Sequence, residues 1–476
     1  MPTSTHTSNN QITFSVARST PPAQLVPAFR SVGENARYLE FYYHCAGPRI
    51  GDNFDREFWS QLSMQMAQSE PCIHHALIAL GYLNKSESGS LKDARTSLAS
   101  VSGQQTFLIH YNKAIKLLAE KFSTPWHTPE VGLVSCLVFV CIEFLRGNYT
   151  TAFLHFNNGL KMISTARKSG FKSSRNEHGC DIIEDTIVPM FERLLFTGLA
   201  YGVPTELALS LSSSPVVFRR TPFSSLVESQ LAMYDLRNKS MLLLRHMGEN
   251  FQPAAPTTPK LQNQKAILEA LEAWLSATEE LESNMKLSSD DGITIHSLKA
   301  CYHCLYIFVA SITDANQTEC DRHILRFKSV VKHCRFVVEA IERKSSGSPA
   351  ARFTFETSVI PCLHLVASRC RCPVTRREAV TLLERRIPRE GLWDAQQQAL
   401  VSRRLIEIEE REIDPATGWP TEKARIMSTV IRGDMDGNGR FAVYFATQIW
   451  GEGRGEAPLP DEKSMVGEMW REWFHL

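Results

Sequence analysis

The chain has 476 residues, which is enough for one large domain or for roughly two or three domains of ordinary size. Hydrophobic residues make up 43% of the sequence and charged residues 22%, a composition that excludes a largely disordered chain. The net charge of +1 excludes a protein whose overall positive field attracts nucleic acid.

The N-terminal residues 1–36 are rich in Ser, Thr, Asn and Pro, which predicts a disordered lead. They contain no basic segment followed by an apolar core, so we expect no secretory signal. The longest apolar run, residues 133–142, is too short to span a bilayer. We therefore expect an intracellular protein without a membrane-spanning segment.

From Tyr38 onwards the sequence favours helices almost throughout. Residues 54–67 carry an apolar residue at every fourth position, and Pro71 stands in the first turn of a helix predicted over 69–83. Three further helices are predicted at 106–122, 128–147 and 148–166. The segment 128–147 is apolar on nearly all sides, so its helix should lie at the centre of a helical layer.

The second part of the chain also favours helices. Residues 264–283 form an amphipathic pattern, and only 440–450 has the composition of a strand. We predict an all-α fold in which antiparallel helical hairpins pack in layers. The predicted organisation is a lead at 1–36, a first helical half at 37–250, a Pro-rich linker at 251–263 and a second helical half at 264–476.

One local pattern resembles a single helical repeat unit. Gly147, Tyr149, Ala152 and Phe156 have the spacing of the second helix of a tetratricopeptide repeat. No copy follows at a 34-residue period, and such repeats need stacked neighbours to bury their faces. We expect one helical hairpin with repeat-like packing.

Residues 433–441 read GDMDGNGRF and match the start of a calcium-binding loop. Asp434, Asp436 and Asn438 stand at the first ligand positions. The twelfth position, where calcium needs a bidentate Glu, holds Phe445. A tight turn before a short strand explains the sequence better than a metal site.

One cysteine pattern and one arginine pattern each allow a functional and a structural interpretation. Cys301 and Cys304 form the one C-x-x-C pair, and without a second pair we interpret them as core residues of a buried helix. The segment 368–390 is locally basic. Its candidate docking face for an acidic partner or for DNA phosphates comprises Arg376, Arg377, Arg385, Arg386 and Arg389, and the alternative is an ordinary solvated face.

The motifs of common enzyme classes are missing from the sequence. There is no G-x-S-x-G, H-E-x-x-H, P-loop or strand-linked G-x-G-x-x-G motif, and we find no pair of facing Asp-rich clusters. The sequence nominates no catalytic residue, no metal ligand and no cofactor. We expect that the protein is not an enzyme.

Several segments in order along the chain resemble the fungal-specific regulatory domain of zinc binuclear-cluster transcription factors. The segments are 37–59, 69–83, 111–118, 130–163, 371–395, 406–412 and 469–476. The resemblance implies a helical regulatory domain, a nuclear location and a role in transcription. In that family a six-cysteine module binds two zinc ions and reads DNA, and the helical domain controls its activity.

The sequence departs from this family at the zinc module. The first cysteine is Cys45, already inside the helical region, and only Arg18 and Arg30 are basic before Arg37. We expect that this chain does not bind DNA directly and acts through other regulators, a zinc-cluster partner or a small-molecule effector. The alternatives are a helical scaffold or adaptor outside transcription and an enzyme with an unrecognised site.

Overall fold

The computed structural model describes most of the chain beyond the N-terminal lead. The described residues are 36–51, 55–86, 91–92, 94, 105–124, 128–171, 181–200, 208, 211, 222–249, 258–312, 318–345, 353–435, 440–447 and 469–476. The predicted lead at 1–36 therefore lies outside them except for its last residue. The all-α prediction is confirmed, because helices dominate the described residues and the sheets are small.

The helices of the first part surround one central hairpin. They are α1 (Ala36–Phe41), α2 (Gly47–Ile50), α3 (Ser63–Ser69), α4 (Pro71–Ser86), α5 (Gln105–Phe122), α6 (Pro129–Arg146), α7 (Tyr149–Ser169) and α8 (Val188–Ala200). Three π-helical turns, at Tyr42–Ala46, Phe58–Leu62 and Ile182–Ile187, connect or extend them. As predicted, α6 is central: almost all of its residues are buried, and it packs against α4 and α7.

The hairpin of α6 and α7 forms for clear local reasons. Gly147 ends α6 in the left-handed conformation with φ 69°, which glycine adopts without steric cost. Asn148 then caps α7, because its side chain accepts a hydrogen bond from the backbone of Thr151 at 3.4 Å. Ala152 and Phe156 are buried. The predicted helical hairpin is confirmed, and its repeat-like packing stays a prediction.

The second part continues the helical layers. Its helices are α9 (Leu226–Glu249), α10 (Thr258–Asn284), α11 (Ser289–Ala310), α12 (Thr318–Asp321), α13 (Ile324–Ser345), α14 (Ile360–Arg369), α15 (Pro373–Leu383) and α16 (Ala395–Glu409). A capping box starts α11: the Ser288 hydroxyl accepts the backbone N–H of Asp291 at 3.1 Å, and the Asp291 carboxylate accepts the Ser288 N–H at 2.9 Å. Two short parallel strands, β1 (Phe353–Thr354) and β2 (Arg389–Glu390), lie beside the first part.

Helix α11 also has the length and composition of a membrane span, the one such case among the described helices. It packs against α9, α10 and α13, and half of its most apolar window is buried. A core helix of a globular protein meets the same criterion, and we describe α11 as such a helix.

The predicted linker at 251–263 stays a prediction, because residues 251–257 lie outside the described part of the chain. Residues 258–263 belong to α10. On the two sides of this segment, α9 and α10 share one core, in which Met233 and Tyr234 meet Leu271 and Trp274. The cores of the second half therefore begin before the linker.

The C-terminal segment forms a three-stranded antiparallel sheet on α16. Its strands are β3 (Ser428–Met435), β4 (Arg440–Ala446) and β5 (Met469–His475), in this spatial order. Phe441 and Phe445 of β4 pack with Val401 and Leu405 of α16. The strand expected within 440–450 is confirmed. The helices do not continue to the end of the chain, because β3 and β5 flank this strand.

The residues of the calcium-like loop are only partly described. Residues 436–439, with Asp436 and Asn438, lie outside the described residues, and the backbone of Asp434 belongs to β3. A calcium loop of this type is followed by a helix, whereas here β4 follows. The described backbone agrees with the turn interpretation.

Candidate functional site

The five arginines of the predicted docking face do not share a surface. Arg376 is fully buried and Arg389 is 2% exposed. Helix α15 lies between α14 and α16, so the side of α15 that looked solvated from its own sequence contacts two neighbouring helices. The prediction that these two arginines face a partner is therefore corrected.

Arg389 instead joins the two parts of the molecule. Its Nη2 donates hydrogen bonds of 2.9 Å to the carbonyl oxygens of both Phe144 and Leu145, in the last turn of α6. Carbonyl groups at a helix C-terminus lack intrahelical donors and carry a partial negative charge, so a buried cation there is stabilising.

The remaining three arginines reach the surface. Arg377 donates to Glu410 with an Nη1–Oε1 distance of 3.0 Å, and Arg385 donates to Glu342 with an Nε–Oε1 distance of 3.0 Å. Arg386 is exposed. Two of the three charges are thus balanced by neighbouring carboxylates, which weakens this face as a basic patch.

A cavity of about 480 Å³ lies between the two parts of the chain. Its walls come from α2 and α8 in the first part and from α9, α11, α13, α14 and the segment after β1 in the second part. This volume falls within the range of small-molecule sites in proteins. The apolar portion of the wall includes Phe196, Ile293 and Leu298.

The deepest charged group in this cavity is Arg237 of α9, which is 4% exposed. Its Nη2 donates to the carbonyl oxygen of Arg193 at 2.9 Å. Its guanidinium lies over the rings of Phe196 and Tyr234, 4.8 and 4.7 Å from their centroids. Within the described part of the chain no carboxylate forms an ion pair with Arg237, and its Nε has no hydrogen-bond acceptor. Burial lowers the pKa of Arg237.

Two polar groups accompany Arg237. The Tyr234 hydroxyl donates to a carboxylate oxygen of Glu356, and the Gln230 amide donates to the Tyr234 hydroxyl at 2.6 Å. All of these side chains line the cavity. The site therefore offers an arginine, a tyrosine hydroxyl and an amide beside an apolar wall.

The charges around the cavity are predominantly positive. Its basic residues are Arg49, Arg56, Arg237 and Lys344, and its acidic residues are Asp290 and Glu356. Lys344 forms an ion pair with Asp290. Arg49 and Arg56 are exposed at the opening. This arrangement attracts an anion towards the buried arginine.

One feature of the sequence points to this site. Arg237 follows Met233 by four residues and precedes Ser240 by three, so it lies on the buried stripe of α9. An arginine on an apolar stripe is unusual and indicates either a buried partner or a ligand. Sequence reasoning missed it because the stripe itself is weakly apolar.

The interpretation of the C-x-x-C pair as core residues agrees with the structure. Cys304 belongs to the core of the second part, and Cys301 is half-buried at the cavity wall. Across the described residues, no group of three or more His, Cys, Asp or Glu side chains is arranged to hold a metal ion.

One known protein family matches part of this chain. The sequence model of the fungal specific transcription factor domain matches residues 37–191. This segment is similar to the fungal specific transcription factor domain. It extends from α1 into the first turn of α8 and contributes Pro48, Arg49, Gly51 and Arg56 to the cavity. Arg237 and the opposite wall lie outside the fungal specific transcription factor domain.

A curated relative supports the same assignment. The chain is 26% identical over 165 residues to the Aspercryptin biosynthesis cluster-specific transcription regulator atnN of Emericella nidulans. The match covers 33% of this chain and 25% of that protein, so it spans about a quarter of the relative's length. No solved structure matches the chain significantly. The matched domain and the relative's name are both those of transcription regulators.

Proposed function

We propose that this protein is a transcription regulator whose activity is controlled by a small organic anion bound in the cavity beside Arg237. The fungal specific transcription factor domain supports transcription regulation, and with it a nuclear role in general. The control by an anion is our proposal, and the observation that carries it is the buried charge of Arg237.

A buried charge without an opposite charge is costly to the folded state, by several kcal/mol before relaxation. Arg237 has a carbonyl acceptor and two aromatic rings, but these balance a full positive charge only in part. A ligand carboxylate would offset the charge and accept hydrogen bonds from the planar guanidinium in a bidentate geometry. The second N–H of the Gln230 amide would donate to the same group, since the Tyr234 hydroxyl already donates to Glu356.

The lining and the volume of the cavity also restrict the chemistry and the size of the rest of the ligand. Phe196, Ile293 and Leu298 would contact an apolar body, whereas Arg49 and Arg56 would raise the local concentration of anions at the opening. We therefore expect a carboxylate with an aliphatic or aromatic body that fits in about 480 Å³. A sugar phosphate or a cation fits this wall less well.

The position of the cavity would link the ligand to regulation. Its walls belong both to the fungal specific transcription factor domain and to the helices after it. A ligand that binds this arrangement stabilises it over any arrangement in which the walls separate. We propose that this stabilisation changes how the protein contacts other regulators.

DNA would be read by a partner with a zinc cluster. The name of the relative, a regulator of one biosynthesis cluster, suggests a biosynthetic gene cluster as the first set of target genes to examine.

The anion proposal can be tested by thermal unfolding of the full chain with straight-chain carboxylates from acetate to decanoate, with phenylacetate, and with their uncharged amides. We expect at least one carboxylate to stabilise the protein by about 2–3 kcal/mol at roughly hundredfold excess over its Kd, and its amide to fail. Arg237→Met should abolish the effect, and the exposed Arg386→Met should keep it. Equal stabilisation of the Arg237→Met variant would contradict the proposal.

The regulatory role has a separate test. The full chain fused to a foreign DNA-binding domain should change expression of a reporter gene, and the carboxylate that stabilises the protein should alter this change. A fusion that occupies the promoter without any change of expression would favour a scaffold outside transcription.

A further inference from the structure

The C-terminal sheet ends in an edge strand that the proposed function does not use. The spatial order of its strands is β3-β4-β5, so among the described strands β5 pairs only with β4. An edge strand presents a row of backbone N–H and C=O groups to which another strand can add. The described lining of the cavity contains no residue of α16 or of this sheet, so the edge is separate from the effector site.

The two edges of the sheet differ in regularity. The pairing of β3 with β4 is interrupted by a register shift between Ile431 and Met435. Such irregularities are one device by which proteins keep edge strands from pairing with other chains, and Pro and Lys residues are others. The pairing of β4 with β5 is regular from Met469 to His475, and β5 contains no Pro, Gly or Lys. Strand β5 is therefore the edge that lacks these devices.

The sequence of β5, MWREWFH, complements itself when two copies run antiparallel about Glu472. In that register Arg471 lies opposite Trp473 of the second copy, and Trp470 lies opposite Phe474 of the second copy. Residues directly opposite each other in an antiparallel pair interact, and cation–aromatic and aromatic pairs at such positions are stabilising. Each of these pairs occurs twice in a symmetric dimer.

The two faces of the sheet also match in this register. Trp470 and Phe474 stack on aromatic residues of β4, with 5.6 Å between ring centroids in each case, on the side that packs against α16. Arg471 and Trp473 lie on the other side, and the Arg471 guanidinium is 5.1 Å from the centroid of its own Trp473 ring. The pairing across the axis would therefore extend a row of cation–aromatic contacts that already exists within one copy.

Other registers are less favourable. A slip of one residue would bring side chains of opposite faces together, which the pleat of a continuous sheet does not allow. A slip of two residues towards the start of the strand would place Arg471 opposite its own copy, and like charges directly opposite each other are destabilising.

Glu472 would lie on the symmetry axis, where two carboxylates repel each other unless their charge is balanced. Each carboxylate is held by Arg404 of α16, with 2.7 Å between Nε and Oε2 and 2.9 Å between Nη2 and Oε1. The Trp470 indole also donates a hydrogen bond to Oε1 at 3.1 Å. Arg404 thus supplies the opposite charge that this register needs.

We propose that two copies of this chain associate through β5, antiparallel about Glu472, so that their C-terminal sheets form one continuous sheet. The partner is a second copy because both members of each favourable pair come from the same short strand. The association does not depend on the effector proposal, since the edge and the cavity share no described residue.

The first test is sedimentation velocity of the full chain over a range of concentrations. We expect a reversible dimer at micromolar concentrations. Trp473→Lys would place a lysine opposite Arg471 of the second copy on both sides of the axis, and should weaken the dimer about tenfold or more. Val430→Lys is the matched control, because Val430 lies on the same face of the other edge strand and is 41% exposed against 37% for Trp473. It should leave the dimer unchanged.

Two further measurements distinguish β5 from another interface and from a folding defect. Trp473→Glu removes the same ring but places a carboxylate opposite Arg471, so it should retain more of the dimer than Trp473→Lys. Hydrogen exchange in residues 469–476 of the unmodified chain should slow as the dimer fraction rises, whereas β3 should keep its rate. A chain that stays monomeric, equal dimerisation of the Lys and Glu variants, or exchange in β5 that does not follow the dimer fraction would overturn the proposal.

Discussion

Arg376 and Glu409 form a fully buried ion pair, with 2.7 Å between Nη2 and Oε2. Glu409 also contacts Arg371 at 3.2 Å and accepts the backbone N–H of Ile426 at 2.9 Å. This carboxylate therefore connects α15, α16 and the entry to the C-terminal sheet. The same arginine looked like a surface residue from its sequence.

The buried pair predicts a large difference between two neighbouring arginines. Arg376→Met should lower the free energy of unfolding by about 3–5 kcal/mol, because it leaves Glu409 buried with less positive charge around it. Arg377→Met removes an exposed pair with Glu410 and should cost less than about 1 kcal/mol. Urea unfolding of both variants measures the difference. Similar costs would show that Arg376 is also solvated.

The hydrogen bonds of Arg389 predict that its substitution destabilises the structure locally and not uniformly. Arg389→Leu leaves the carbonyl oxygens of Phe144 and Leu145 without this donor, and should cost about 2–3 kcal/mol. Hydrogen exchange should rise first at the end of α6 and in β2. Arg386→Leu, at an exposed position three residues away, is the control and should leave exchange unchanged. Uniformly faster exchange in Arg389→Leu would contradict a local role.

Half-buried histidines predict how the stability of the protein responds to acid. Burial lowers the pKa of His75, His303 and His333, to about 4 for the first two and about 3 for the third. In the unfolded chain these groups take up protons near pH 6.5, so their contribution to stability is complete above 6.5 and is lost as the pH falls towards 4. Unfolding free energy should therefore drop over this range.

The contribution of one histidine can be isolated. His333→Gln should make the slope of unfolding free energy against pH shallower between 6.5 and 4 than in the wild-type protein. Glu390, whose pKa burial raises to about 7, gives a slope of opposite sign, but it is common to both proteins. An unchanged slope in His333→Gln would refute the assignment.

Two helical glycines predict opposite effects. A Cβ at Gly81 of α4 would overlap the backbone carbonyl of Tyr38 in α1, so Gly81→Ala should cost about 1–3 kcal/mol. A Cβ at Gly292 of α11 would meet only the ring of Phe336 at 3.6 Å, an ordinary contact. Gly292→Ala should therefore stabilise the protein by about 0.5–1 kcal/mol. Thermal unfolding distinguishes the two, and a destabilised Gly292→Ala would contradict this account.

Much of the helical framework follows from the sequence, because its determinants are local. The apolar character of α6, the left-handed Gly147 and the cap at Asn148 all lie within a few residues of the hairpin that they specify. The same holds for β4, whose aromatic and β-branched residues are visible in a short window. Periodicity and capping are sufficient for such elements.

The burial and the partners of the charged residues cannot be predicted from a short window of sequence. The partner of Arg376 is 33 residues away and that of Arg389 about 245 residues away, so no window of helical periodicity contains both members. Strand β5 was missed for a similar reason, since its pairing with β4 crosses a long intervening segment. The cavity depends on six helices at once, and its key residue, Arg237, differs from a surface arginine only through their arrangement.

The side chains that complete the first core come from far along the chain. Phe353, Phe355 and Leu392 pack among the residues of α1 to α8, and Phe355 stacks edge-on against Trp59. A fragment that stopped at residue 191 would expose that indole and lose the donor that Arg389 supplies to α6. The match to the family model therefore ends inside the structure, because residues far beyond it complete the first hydrophobic core.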